Sequence, residues 1–149
     1  MYSWIDDIIY GLKENYSTED VYELYDCLDI KIHKIEADNI LLSGNYSFYY
    51  RDLDDREIVF IRNDIKGVME NFILLHELGH ALLHTEVFQA AFNKNFSNIG
   101  KFEKQANYFA FKMLNIKLDM IELESMTIDQ IASCIGISKE LSYLITDFK

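Results

Sequence analysis

Between residues 30 and 62 apolar side chains alternate with polar ones, and on either side of that stretch they recur at helical spacing. A period of two demands a pleated strand and a period of 3.6 a helix, so the chain must change secondary structure twice. Helices at both ends with a sheet between them make an α+β plan. Trp4, Ile8, Ile9 and Leu12 share a helical face within residues 3–14, with Asp6 and Asp7 where the helix dipole favours anions. Ser17-Thr18-Glu19-Asp20 reads as a capping box that opens a second helix bearing Val21, Leu24, Tyr25 and Leu28. Residues 30–35, 39–43, 46–51 and 57–62 read as strands, with turns at Ser43-Gly44-Asn45 and Asp52–Asp55. Short turns between consecutive strands imply a small antiparallel sheet. Beyond Asn63-Asp64 the pattern is helical to about His84, weak over 85–100, and helical again over about 100–115. Residues 125–148 read as two short helices joined at Cys134–Ser138.

No linker or repeat divides the 149 residues, so 1–149 is expected to form one domain, with 126–149 a helical hairpin belonging to it. The formal net charge of −11 argues against a protein built to neutralise phosphates, and nucleic acid is not an expected partner. Ten acids and three bases lie in residues 1–38, so the excess is concentrated at the N-terminal end. Apolar runs of about four residues exclude a bilayer span, and the acidic start is unlike a signal peptide. Cys27 and Cys134 fall in separate apolar patterns and are expected to be reduced and buried. A cytoplasmic location, with no membrane partner, follows as the expectation.

The chemistry concentrates in His76-Glu77-Leu78-Gly79-His80. Imidazoles at i and i+4 on a helix lie one turn apart and can reach one metal ion. The intervening Glu77 then stands where it can take a proton from a water that the metal has acidified. The plainer alternative is two unrelated helical histidines, one buried and one solvated. A catalytic zinc needs a third protein ligand. The short metzincin extension would place glycine and histidine where this chain has Leu83 and Glu86. His84 lies about 12 Å along the helix from His76, too far to share the ion, and is expected to pack or hydrogen-bond nearby. Glu103 is the better candidate, because it shares a helical face with the small residues Ala106, Asn107 and Ala110, which permit close approach. The competing reading is a solvated first-turn glutamate, and spacing alone does not separate the two. Glu86, Glu122 and Glu124 sit on no such face. Gly79 costs a helix about 1 kcal/mol relative to alanine, which close passage of a neighbour at the metal would offset.

His76-Glu-Leu-Gly-His80, the trailing Ala81-Leu-Leu-His84 and Glu103-x-x-Ala-Asn-x-Phe-Ala110 resemble the ImmA/IrrE family of zinc metallopeptidases. Ile61-Arg62-Asn63 and Ile131-Ala-x-x-Ile-Gly-Ile-Ser138 are similar too, so the resemblance spans roughly residues 18 to 146. It implies a zincin-like arrangement in which His76, His80 and Glu103 bind Zn²⁺, or another divalent ion, and Glu77 is the catalytic base. It also implies a protein substrate, a helix-turn-helix repressor of a phage or mobile element, that is cut to release its genes. One departure is visible: a proline often follows the family's Phe-Ala, where this chain has Met113-Leu114-Asn115-Ile116.

Two other readings belong to different classes. A binding module would inactivate the repressor by contact alone. A DNA-binding regulator would use the stretch from Thr127 to Leu141, which resembles a helix-turn-helix. That stretch is poor in basic residues, which favours a structural hairpin packed on the core. Tyr46, Tyr49, Tyr50 and Tyr108 are candidates to steady an oxyanion, against ordinary packing roles. His33 reads as structural. Substrate is expected to lie extended along a sheet edge, with the 57–62 strand the candidate.

Overall fold

The computed structural model describes residues 2–85, 89–92 (backbone), 100–114 and 124–142. Helices α1 (Ser3–Tyr16) and α2 (Val21–Cys27) precede strand β1 (Ile30–Ile35), the hairpin of β2 (Ser47–Arg51) and β3 (Glu57–Arg62), and helix α3 (Gly67–Leu83). Strand β4 (Gln89–Phe92), helix α4 (Lys101–Met113) and helix α5 (Ile128–Ile135) follow. The plan is α+β, as the change of period requires.

The N-terminal helices turn on local chemistry. In α1 the buried residues are Ile5, Ile9 and Leu12, while Trp4 faces outward. Ser17 adopts a left-handed conformation and closes α1, and Asp20, rather than Ser17, caps α2 by accepting from the Glu23 N–H. Its buried face is Val21, Leu24 and Tyr25, and the Tyr25 hydroxyl donates to the Leu74 carbonyl of α3 at 2.6 Å.

The sheet has the order β1-β3-β2-β4. It is mixed rather than wholly antiparallel: β1 pairs with β3 in parallel, from Ile30 opposite Glu57 to Ile35 opposite Arg62. The reason lies in residues 39–43, which are not a strand. The Asn39 side chain accepts from the Leu41 N–H, and Ile40–Leu42 form a 3₁₀ turn that ends at left-handed Ser43. Asparagine offers the backbone this alternative to a ladder. The chain therefore crosses past β3 before β2 begins, and β3 returns between its neighbours. The 57–62 strand is thus interior and cannot be the edge that receives substrate. Residues 89–92, where the sequence shows no clear period, pair antiparallel with β2.

One apolar cluster joins these elements, including Ile5, Leu24, Tyr49, Val59, Ile61, Phe72, Leu78 and Phe109. Ile131, Ala132, Ile137 and Leu141 belong to the same cluster, so the C-terminal segment packs on the core as a structural hairpin would. Its first helix carries the Thr127–Gln130 capping box and stops at left-handed Gly136, with the 3₁₀ turn Lys139–Leu141 beyond. The remainder of the expected second helix lies outside the described residues. Cys27 and Cys134 are exposed rather than buried, each on the outward side of its helix. No described helix is long and apolar enough to cross a membrane.

Of the glycines, Gly79 is the most closely packed. A Cβ there would stand 3.2 Å from the Ala106 Cα and 3.3 Å from Phe109 Cδ1. The first neighbour is backbone, which cannot swing aside. Gly79→Ala should therefore destabilise the protein by about 1–2 kcal/mol in urea unfolding, overpacking outweighing the better helix propensity. A more stable alanine variant would contradict this packing.

Candidate metal centre

Helix α3 is buried from Phe72 to Ala81, and this apolar casing holds His76 and Glu77 at 0% exposure and His80 at 1%. Ionisable groups are seldom buried so completely unless partners or a metal compensate. Because α3 and α4 cross at Gly79 and Ala106, Glu103 in the first turn of α4 reaches both imidazoles. Its Oε1 lies 3.0 Å from His80 Nε2, and its Oε2 lies 3.3 Å from His76 Nε2. The two Nε2 atoms are 3.1 Å apart, and one ligand atom from each of the three residues falls within a 4.8 Å group. Metal–ligand bonds of about 2.0–2.2 Å put tetrahedral donors roughly 3.4 Å from one another, so the spacing suits a single ion. Two imidazoles and a carboxylate also match the donor preferences of zinc.

The ring orientations are consistent with that use. His76 Nδ1 is 2.7 Å from Asn107 Oδ1, a carbonyl that can only accept, so Nδ1 carries the proton and Nε2 presents its lone pair. His80 Nδ1 lies 3.0 Å from His84 Nδ1, and His84 Nε2 lies 2.9 Å from Gln105 Oε1. His84 therefore hydrogen-bonds beside the site, as its distance along the helix requires, with the Phe102 ring against it at 4.4 Å between centroids.

The electrostatics separate the two glutamates. Burial pushes the Glu77 carboxyl up to about 7, against the opposing pull of His80 and of a hydrogen bond from Ser47. Burial also acts to raise Glu103, but His76 and His80, when protonated at Nε2 without an ion between them, hydrogen-bond to it and hold it well below the usual carboxylate range. Glu77 can thus exchange a proton near neutrality, while Glu103 stays an anion suited to ligation. The Ser47 hydroxyl donates to Glu77 Oε1, and Oε2 has no protein partner among the described residues. An unsatisfied buried carboxylate oxygen costs about 1–3 kcal/mol or more. Folding alone gives no return for it.

Ser47 and Arg51 are the groups that sequence reasoning passes over. Both sit on the inward face of β2, at positions 47 and 51 of an alternating strand. Arg51 Nη1 donates to the Thr85 carbonyl at 2.5 Å and Nη2 to the Ala81 carbonyl at 3.4 Å, satisfying groups at the C-terminal end of α3. A serine at an inward strand position was the available signal for the first.

The candidate tyrosines have other engagements. Tyr49 is buried with its hydroxyl on Glu57 and Arg51, and Tyr108 donates to Asp6 across α1 and α4. Tyr46 lies under the Arg62 guanidinium, and Tyr50 stacks on Phe48. His33 packs against Phe60 on β1. Glu86 and Glu122 lie outside the described residues, and Glu124 is exposed.

Two imidazoles from a buried helix meeting a carboxylate from the helix that crosses it, with a second carboxylate between the imidazoles in sequence, make a metallopeptidase-type arrangement. Residues 26–142 match the IrrE N-terminal-like domain, Peptidase_M78, and the chain belongs to that family. It is also 28% identical over 147 residues to the uncharacterized immunity region protein 2 of Bacillus phage phi105, covering 96% of this chain and 89% of that protein.

Removing the candidate carboxylate ligand tests the third position. Glu103→Ala should bind zinc at least tenfold more weakly than the unsubstituted chain in chelator competition. Unchanged zinc stoichiometry and affinity would show that the third ligand lies elsewhere.

Proposed function

We propose that the chain is a zinc-dependent endopeptidase acting as one domain over residues 1–149, and that its substrate is a helix-turn-helix transcriptional repressor of a phage or mobile element. The observation that carries the reading is Glu77: a fully buried carboxylate with one oxygen unpaired, between two histidines whose Nε2 atoms converge on Glu103. Membership of a metallopeptidase family supports the chemistry, and similarity to a phage immunity-region protein supports the setting. Zn²⁺, or another divalent ion, held by His76, His80 and Glu103 would supply Lewis-acid polarisation of the scissile carbonyl and acidification of a water.

The chain's own groups do the rest. Glu77 accepts the water proton and returns it to the leaving amide nitrogen, work suited to a carboxyl brought near neutral pH. Ser47 holds Oε1 of that carboxylate, leaving Oε2 for the exchange. Substrate adds as an extended strand along the side of β4 that faces away from β2 and pairs with no other strand among the described residues. In the β2–β4 ladder Ser47 stands opposite Phe92, so β4 is the edge strand next to the one that touches Glu77.

Glu77→Gln should keep the fold and the zinc while lowering repressor cleavage by about 10²–10⁴-fold. Purified repressor incubated with each form and followed by mass spectrometry measures this. Undiminished cleavage would remove Glu77 from the mechanism, and relief of repression in cells by the glutamine variant would favour inactivation by binding alone.

The acids of residues 1–38 give a second expectation. A repressor's basic DNA-binding face would be drawn to this region, so cleavage should slow as salt rises from about 50 to 500 mM, through its dependence on encounter. A flat salt profile would assign the acidity to solubility.

A further inference from the structure

The two histidines of the centre are oriented differently. His76 Nδ1 meets the Asn107 amide oxygen at 2.7 Å, which settles its tautomer directly. His80 Nδ1 instead meets His84 Nδ1 at 3.0 Å, and an imidazole nitrogen can be donor or acceptor. The contact alone leaves two self-consistent polarities. In one, the proton lies on His80 Nδ1 and the His80 Nε2 lone pair faces His76 and Glu103. In the other, His84 donates, and a proton on His80 Nε2 occupies the place of the ion.

Gln105 breaks the tie. Its Oε1 lies 2.9 Å from His84 Nε2 and accepts only, so the His84 proton belongs on Nε2. The His84 Nδ1 lone pair then accepts from His80 Nδ1–H. His84 and Gln105 are each 5% exposed, so bulk water is poorly placed to substitute for either. Helix α4 therefore carries Glu103 together with both amide oxygens, those of Gln105 and Asn107, that orient the imidazoles.

We propose that His84 and Gln105 are positioning residues for metal binding: the chain Gln105–His84–His80 fixes the tautomer in which His80 offers Nε2 to a divalent cation. The proposal rests on the metal centre assigned above. It separates His84 from the ordinary role of a histidine packed on Phe102, which would require shape but no hydrogen-bond polarity.

Zinc affinity by chelator competition on the full chain provides the test. His84→Leu and Gln105→Leu should each weaken zinc about 10–100-fold, the usual effect of removing a group that orients a ligating histidine. His84→Asp should remain within about threefold of the unsubstituted chain, because a carboxylate accepts from His80 Nδ1–H without ambiguity. An aspartate variant as weak as the leucine variant, or leucine variants that bind normally, would overturn the proposal. Long-range ¹H–¹⁵N correlation of the zinc-loaded, unsubstituted chain reads the tautomer without any substitution. His84 protonated at Nε2 supports the chain, and His84 protonated at Nδ1 overturns it. Failure of the unsubstituted chain to bind zinc would reject the centre itself, and the positioning role with it.

Discussion

Helices α3 and α4 approach so closely at Gly79 and Ala106 that a single added methyl would press on backbone. This separation sets the reach of Glu103, Gln105 and Asn107 toward the histidines. Glu103, at the start of α4, arrives within 3.3 Å of both histidines, and Asn107, one turn on, arrives behind His76. A separation larger by even an ångström would leave His76 and His80 buried without these partners, at a cost of several kcal/mol. Glycine's poor helix propensity is a small loss beside that.

Around this crossing the protein accepts an unusual concentration of polarity in its interior. Ser47, His76, Glu77, His80, His84, Gln105 and Asn107 are all buried. Most of their hydrogen bonds run to one another, so the group forms a network whose low-dielectric surroundings strengthen each bond and penalise any loss. The apolar cluster supplies the burial, with Phe72, Leu75, Leu78 and Phe109 excluding water from the helices that carry the network. The same exclusion of water raises the Glu77 carboxyl toward neutrality, so the interior that stabilises the fold also conditions the chemistry.

Much of this was legible in the chain. The change of hydrophobic period announced the helix–sheet–helix order, and the i, i+4 histidines with a small-residue helix downstream located the elements that meet. What escaped was determined by geometry that no single segment carries. Residues 39–43 look like a strand by alternation, yet Asn39 caps a turn there, and with that turn β1 becomes a parallel neighbour of β3. The interior position of β3 follows from that pairing and not from its own residues. Residues 89–92 have no sharp period, and β2 completes their pairing. Ser47 and Gln105 are ordinary in sequence, and their contacts exist only once β2 and α4 have closed on α3.

The inward face of β2 has a consequence for how folding errors are expressed. Ser47 touches Glu77 and Arg51 holds the far end of α3, and the two side chains point the same way only because they stand an even number of positions apart along the strand. A shift of β2 by one residue against its partners would turn both outward together. The strand's pairing and the alignment of the buried carboxylate are consequently one event. A misregistered chain would lose the Ser47–Glu77 contact at the same moment as its structure, leaving little room for a folded form in which that carboxylate is wrongly aligned.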